Sequence, residues 1–527
     1  MHKGNLPILA LLLILSVRTE AQPNPDPVLE RIIETGRTDN RTMDHLDVLC
    51  NRFGGRLIGS DAYENAALWA AHTFASWGMD VVMDDVGTLP VGFNRGPWFG
   101  TLLGEEGMHL HFATPSYTSG TKGVQRGPVL LEPRTREEMN QMKGALKGAW
   151  VLIGGENTGF PVDISTEADR YRDSLIDDNV RIRAANADIR KQNREREARG
   201  KESLELLKEN EEPALFYRDM VEAGILGIIQ SAPVPIRVLY DRKNLHRLRF
   251  DSLPSVPDIK LDEHQFAVIK RMAEERRYFQ LEFDIRNHFK MGPVPYHNVI
   301  GIIPGFEFPD EYVIMSAHLD AYDVATGGVD DGSGVSPVME AARLIQEAGG
   351  RPRRTILVIL WAGEEFGLYG SRSWVARHAD SMDRISNLVN RDGGPTVPVA
   401  LKVTSAQRPL LEDIAWWINR IDPAYPFALQ ELEARPRPLV PMYTDAGPFQ
   451  VAGVPTQGFE CADPQGTHFD YREIWHTERD LYNKSIPEYQ NQAAVATAVL
   501  VYGLANLDGL LPREGVYLSP VPEDNRP

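Results

Sequence analysis

The chain has 527 residues, 42% of them hydrophobic and 25% charged, with a formal net charge of −18. That length exceeds one ordinary core, so two domains or one elaborated domain of a globular protein are expected. The acidic balance argues against nucleic acid or an anionic membrane surface as a partner.

Lys3 precedes an apolar run over residues 6–17, too short to span a bilayer with ease, and Thr19-Glu20-Ala21 sets a small residue before Gln22. Residues 1–21 read as a cleavable secretory signal, so the mature chain is expected to be secreted or periplasmic. No other segment is long and apolar enough to cross a membrane. Cys50 and Cys461 are the only cysteines, too few for a thiolate zinc site. Export permits a disulfide, and two buried free thiols fit equally well.

Helical periodicity runs through residues 28–35, 43–53 and 62–77, and 79–86 reads as a strand. Residues 22–121 are taken as the first part of an α/β domain and as scaffold, including the turn-rich link Gly54-Gly55-Arg56. From 122 to 288 the pattern changes to short strand-like runs at 127–131, 149–153 and 225–230, as expected of an inserted second domain. A charged stretch at about 166–212 has too few apolar residues for a core face and mixes both signs, so a solvated helical hairpin is expected. No internal repeat is read. Residues 289–512 resume the first domain, with strands at 296–303, 385–389 and 455–459 and helices at 409–421, 447–451 and 488–507. The Pro-rich tail after 512 is expected to be loose. Alternating strands and helices make the fold α/β, with a mostly parallel sheet flanked by helices.

The most informative stretch is 311–371. An apolar run, 312–317, has the length and β-branched content of a buried strand and ends at His318-Leu319-Asp320. A glycine-rich turn holding Asp330-Asp331-Gly332-Ser333-Gly334 opens an amphipathic segment, 335–346. A second buried strand, 355–360, ends shortly before Glu364-Glu365, and the 385–389 strand runs into Asp392. Imidazoles and carboxylates thus gather past the carboxyl ends of strands, where open α/β sheets place their chemistry. No nucleophilic Ser or Cys elbow is present. A two-metal hydrolytic site needs a bridging carboxylate, further N or O ligands, and a free carboxylate as general base. His318, Asp330, Glu364, Glu365, Asp392 and His476 supply those groups. Each is a common residue and a weak signal alone. Together they are stronger, because two charges following a buried strand are costly without partners.

Six motifs, HLDAYDV, GGVDDGSG, WAGEEFGLYGS, NRDGG, YTDAGPFQVAGVP and WHTERD, together resemble the binuclear zinc aminopeptidase and glutamate carboxypeptidase family, over about residues 46–507. The resemblance implies two Zn2+ per chain and makes the middle region a β-rich inserted domain of protease-associated type. It also implies that Asp330 bridges both zincs, with His318 and Asp392 completing one and Glu365 and His476 the other. The adjacent Asp331 is the alternative bridge. By the same resemblance Glu364 is the general base and Asp320 hydrogen-bonds the His318 ring. Tyr443 is either an oxyanion donor or a packing residue, and Asp445 either neighbours the metals or caps the following helix. Asp323 is a candidate partner behind the ligands, while His468 and Asp470 either line the substrate pocket or order a loop.

The expected function is a secreted zinc-dependent exopeptidase of short peptides, acting as an aminopeptidase, dipeptidase or carboxypeptidase. The rivals are an amidohydrolase of N-acyl amino acids, a one-zinc cyclase-like relative, and a non-catalytic binding ectodomain on a peptidase fold. The full ligand set disfavours the last two. A homodimer is a further implication of the resemblance.

Overall fold

Two long strands carry the architecture of the computed structural model, which describes residues 25–104, 107–240 and 245–518. The expected signal peptide lies outside the described residues. Asp80–Asn94 pairs antiparallel with His288–Ile303 along its whole length, from Asp80 opposite Ile302 to Asn94 opposite His288. One end of this ladder borders the main sheet, and the other leads directly into a second sheet.

The main sheet has five strands in the order Asp80–Asn94, His288–Ile303, Arg354–Trp361, Phe308–His318 and Ile385–Asn390. Only the last three run parallel to one another, so the sheet is mixed rather than mostly parallel. The two long strands are joined through the second sheet, not through a crossover helix, and no connection forces them parallel. Arg354–Trp361 is buried at every position, as befits a central strand covered on both faces. One face packs against the helices Gly332–Glu347 and Pro487–Ala505. The other carries Ile314, Ile359 and Trp361 against Trp374 and Phe449. A small third sheet joins Val397–Val403, Ala428–Glu431 and Phe459–Ala462. The strand expected at 455–459 is therefore displaced: Thr456 makes a single bridge to Leu388, and the strand proper starts at Phe459.

The second sheet has eight strands, ordered Met108–His109, Trp98–Leu103, Gln280–Ile285, Gln125–Leu131, Trp150–Ile153, Gly227–Ala232, Asp258–Asp262 and Phe112–Ala113. It has its own core, in which the rings of Phe112 and Trp150 meet Phe283 edge-on. It begins at Trp98, earlier than residue 122. Gly100 is part of the reason: a Cβ there would fall 2.5 Å from the Phe283 ring, so only glycine lets this strand lie against the core. Cys50 is buried and Cys461 exposed, and both are free thiols. Tyr517 bridges Arg435 and Val516 is buried, so the tail is held at least to Leu518.

The charged stretch is one helix with an extended return, not a helical hairpin. Thr166–Glu197 forms a single 32-residue helix, and residues 201–212 run back along it without regular structure. Three asparagines clamp the return. Asn179 donates to the Asn210 carbonyl at 3.0 Å and accepts from its N–H at 2.7 Å. Asn186 does the same to Leu207 at 2.8 Å and 2.8 Å, and Asn193 to Leu204 at 2.8 Å and 2.6 Å. Seven helical residues rise about 10.5 Å, while three extended residues cover about 9–10 Å. The two steps therefore match. Ile182-Arg183-Ala184-Ala185-Asn186 and Ile189-Arg190-Lys191-Gln192-Asn193 are successive copies of one heptad, so a short internal repeat does exist. Its conserved polar group per turn pair is an amide, which satisfies one backbone donor and one acceptor at once. Asn186→Ala should therefore speed hydrogen exchange and proteolysis across 204–210, costing locally about 1–2 kcal/mol, with the global melting temperature little changed. Unaltered exchange there would show that the clamp adds nothing.

Candidate metal centre

The expected ligands converge from three loops at the carboxyl ends of the parallel strands and from the loop before the last helix. His318 is the final residue of Phe308–His318, and Asp330 and Asp331 close the turn that starts the Gly332–Glu347 helix. Gly334 makes that turn possible, because a Cβ there would lie 2.2 Å from the Arg391 carbonyl and 2.3 Å from an Asp331 carboxylate oxygen. Glu364 and Glu365 follow Arg354–Trp361, and Asp392 follows Ile385–Asn390. His476 sits at φ 59°, a left-handed conformation that an imidazole residue keeps only where its loop is firmly held.

Asp330 turns one carboxylate oxygen to each imidazole. Its Oδ1 lies 3.2 Å from His318 Nε2, and its Oδ2 lies 3.3 Å from His476 Nε2. His476 Nε2 is also 2.9 Å from Glu365 Oε2, and His318 Nε2 is 3.8 Å from Asp392 Oδ1. Two donor triads result, His318–Asp331–Asp392 and Asp330–Glu365–His476, each with its donor atoms within 4.8 Å of one another. All the expected ligands are brought together, and Asp331 joins them. Its Oδ2 accepts the backbone N–H of His318 at 3.1 Å.

The residues fit a pair of cations. Asp330 Oδ2, Asp331 Oδ1, Glu365 Oε1 and His476 Nδ1 are buried with no hydrogen-bond partner. Buried oxygens and imidazoles left in this state are costly unless a positive charge sits among them. Carboxylate oxygen and imidazole nitrogen are donors that zinc accepts.

Asp320 plays a different part from the one expected. The His318 ring Nδ1 donates to the backbone carbonyl of Asp320 at 2.9 Å, while the Asp320 carboxylate lies 3.8 Å from the ring. That carboxylate instead accepts the backbone N–H groups of Glu364 at 3.1 Å and Glu365 at 3.2 Å. The ring tautomer is still fixed, with Nε2 left facing the donor cluster, but by main chain. The carboxylate is used to pin the Glu364–Glu365 turn. Burial raises its pKa to about 6, despite these two hydrogen bonds and the nearby His318.

Asp445 is fully buried, accepts the Ser371 hydroxyl, and makes no side-chain cap on the helix it precedes. Tyr443 stands 87% exposed and joins neither the core nor the donor cluster. Asp323 faces away, accepting Arg95 at 2.8 Å and the Ser116 hydroxyl at 2.6 Å. His468 is exposed, and Asp470 orders its own loop by accepting the Arg472 N–H.

Three residues escaped the sequence reading. Arg56, with no exposed surface, donates to the carbonyls of Leu319, Gly54, Thr326 and Gly327, and so ties the His318 loop to the glycine turn. Its signal was a lone cation between glycines and apolar residues. Asp480 accepts the backbone N–H of Val329 at 2.6 Å and of Asp330 at 3.4 Å. Tyr471 is near enough to the donors that burial, then the charges of Asp330, Asp392, Asp331 and Glu365, push its pKa far upward and keep it protonated. A cavity of about 860 Å3, lined by Tyr117, Tyr240, Tyr217 and Asp258, contains none of these donors.

Paired donor triads past the strand ends of a mixed, helix-covered sheet define a metallopeptidase with a binuclear zinc site. Over residues 298–501 the chain matches the model of Peptidase family M28. It is related to carboxypeptidase Q. The Mus musculus protein of that name is 24% identical over 497 residues, covering 91% of this chain and 88% of its own. That of Xenopus laevis is 25% identical over 517 residues, covering 94% of this chain and 93% of its own. Among solved structures, the Peptidase M28 precursor from Shewanella amazonensis SB2B superposes with a TM-score of 0.56 at 19% identity, covering 92% of this chain and 97% of that one. This last likeness is one of fold. No helix of the described residues is long and apolar enough to cross a membrane.

Without cations, burial drives the pKa of Asp392 to about 7 and those of Asp445 and Asp480 to about 8. A carboxyl whose folded pKa is raised stabilises the fold fully below its unfolded value near 4, and that contribution is lost as pH rises through the folded pKa. Chelated protein should therefore melt lower at pH 8.5 than at pH 5.5. Zinc should raise the melting temperature by several degrees and flatten this dependence. A chelated protein as stable at pH 8.5 as the zinc-loaded one would argue against a metal-neutralised cluster.

Proposed function

We propose that the chain is an exported zinc-dependent exopeptidase of short peptides in which Glu364 is the general base. The observation that carries this reading is the place of Glu364: a buried carboxylate next in sequence to the donor Glu365, under the charges of His318 and Asp392, and a member of neither triad. Burial holds its pKa well above the usual carboxylate range; His318 opposes this, and Asp392, Glu365 and Asp445 reinforce it. A base that must accept a proton from water and then give it to a leaving amine needs a pKa raised in this direction.

In this reading His318, Asp392 and Asp331 would hold one zinc, Glu365 and His476 the other, with Asp330 between them. Two bound zinc ions supply Lewis-acid polarisation of the scissile carbonyl and acidify a shared water. The chain's own residues do the rest. Asp320 fixes the backbone of Glu364 beside the donor Glu365. Tyr471 offers a protonated phenol to the oxyanion. We take the second sheet as the inserted protease-associated-type domain, enlarged to include Trp98–Leu103. Export rests on the sequence of residues 1–21. No ligand or base is missing, which weighs against a binding ectodomain.

Glu364→Gln should keep both zincs by metal analysis and lose about 10²–10⁴-fold in turnover of a dipeptide. Retained turnover would remove Glu364 from the role of base. Cleavage of N-acyl amino acids in preference to dipeptides would move the reading to the amidohydrolase.

A further inference from the structure

One imidazole outside the donor cluster joins the two sheets. His111 lies between the strands Met108–His109 and Phe112–Ala113 of the second sheet, and its neighbours there fix it. Its backbone N–H donates to the Gln265 side-chain carbonyl at 2.7 Å, and its carbonyl accepts the Asp262 N–H at 2.9 Å. The ring Nδ1 lies 3.1 Å from Asp262 Oδ2. So held, the ring reaches the loop that carries His476, where its Nε2 lies 2.6 Å from Glu478 Oε2. The other oxygen of Glu478 accepts the Ile236 N–H at 3.1 Å, and the Glu478 N–H donates to the Ile236 carbonyl at 3.1 Å. Glu478 is therefore a point at which the second sheet grips this loop, two residues from a metal-facing imidazole.

A carboxylate at each ring nitrogen decides the charge of His111. A neutral imidazole has one N–H and one lone pair, so it would donate to one carboxylate and turn its lone pair on the other. Asp262 is an acceptor on its other oxygen too: Oδ1 takes the N–H of His264 at 2.8 Å and of Gln265 at 3.3 Å, capping the helix Glu263–Glu274. A helix N-terminus favours a negative charge in that place. Only an imidazolium, donating at both Nδ1 and Nε2, satisfies the two carboxylates together. Burial of the ring works against that charge, but the hydrogen bonds to Glu478 and Asp262 outweigh it and raise the pKa above the ordinary imidazole value. These two carboxylates, one from the second sheet and one from the loop, are the charged groups that bear most on the ring. The His111 side chain is 42% exposed and open to solvent protons, whereas His318 and His476 are buried.

We propose that His111 is a positioning residue for the metal centre: as an imidazolium between Asp262 and Glu478 it holds the loop that presents His476, and loss of its proton slackens that loop. It belongs to neither donor triad and acts through Glu478. The loop has little play in which to absorb a change. Thr477 bridges Arg237, and His476 already stands at φ 59°. Successive Cα atoms are ~3.8 Å apart, so a shift of Glu478 is passed along the backbone to His476. Because the folded ring titrates above a free imidazole, its grip is complete below about pH 6.5 and is lost as pH rises through the folded value. The loop is thus tightened in acid and released in alkali by a group that is not itself a metal ligand. This role is the same whichever peptides the enzyme cleaves.

The test is hydrogen exchange across residues 474–480 of the zinc-loaded protein, read as protection factors from about pH 6 to about pH 9. In the wild type, protection should fall about 3- to 10-fold over that range. His111→Gln should remove the fall and leave the loop at the wild type's alkaline level throughout. Glu478→Gln, which keeps an acceptor for the Ile236 N–H, should do the same without touching the second sheet. Asp262→Asn still caps the helix but removes one of the two anions, so it should move the fall to lower pH by about one unit. Near pH 6, His111→Gln should also release zinc to a chelator about 3- to 10-fold faster than wild type, and the two should match near pH 9. A fall that persists in His111→Gln, or that Asp262→Asn leaves in place, would overturn the proposal. So would a loss of protection in His111→Gln confined to the strands of the second sheet, which would mark a residue that only packs there. If His111→Gln does not fold, the position of the fall in Asp262→Asn decides.

Discussion

Carboxylates crowded out of water set the terms for the rest of this molecule. Asp330, Asp331, Glu364, Glu365 and Asp392 are all buried or nearly so within reach of two imidazoles, His318 and His476. Imidazolium charges cannot balance that many anions. The folded chain resolves the conflict either by protonating them, as the raised pKa values of Asp392 and Glu364 show, or by holding cations. The fold around the cluster is a device for keeping these groups close despite their repulsion.

Main-chain hydrogen bonds do most of that work. Asp320 accepts two successive backbone N–H groups at the Glu364–Glu365 turn, and Asp480 accepts those of Val329 and Asp330. Arg56 draws four carbonyls from two loops to one guanidinium. None of these three residues belongs to a donor triad. They spend charge on the backbone, so that carboxylate oxygens are left over at the cluster even though Asp331 accepts the His318 N–H. The unpaired oxygens of Asp330, Asp331 and Glu365 are the visible result.

This division explains what the sequence could disclose. His318, Glu365 and Asp392 were legible because each ends or follows an apolar run that reads as a buried strand, where a charge has few uses, and Asp330 and His476 were legible through the motifs around them. Their supports were not. Asp320 was recognised as a neighbour, but nothing in the order of residues tells a carboxylate that binds a ring from one that binds two amides. Tyr443 sits in a motif and is exposed, whereas Tyr471, outside it, lies within reach of the cluster's charges. The mixed sheet was hidden because strand direction depends on a connection that passes through another sheet. The asparagine heptad was legible, yet a search for apolar periodicity passes over a repeat whose recurring member is polar.

The six residues from Trp475 to Asp480 show how closely the two sheets are joined. Trp475 stacks on Arg237, and His476 faces Asp330 and Glu365. Thr477 bridges the second sheet's segment, and Glu478 holds Ile236 and, at 2.6 Å, the ring of His111. Asp480 fixes the turn that presents Asp330. One short loop thus carries a metal-facing imidazole, the support of the central carboxylate and the dock for the second sheet. A displacement of that sheet cannot leave His476 where it is, because the same backbone serves both. The second sheet is therefore part of the active centre's geometry and not an appendage to it, and a segment so placed is where the chain can add selectivity without altering the donors themselves.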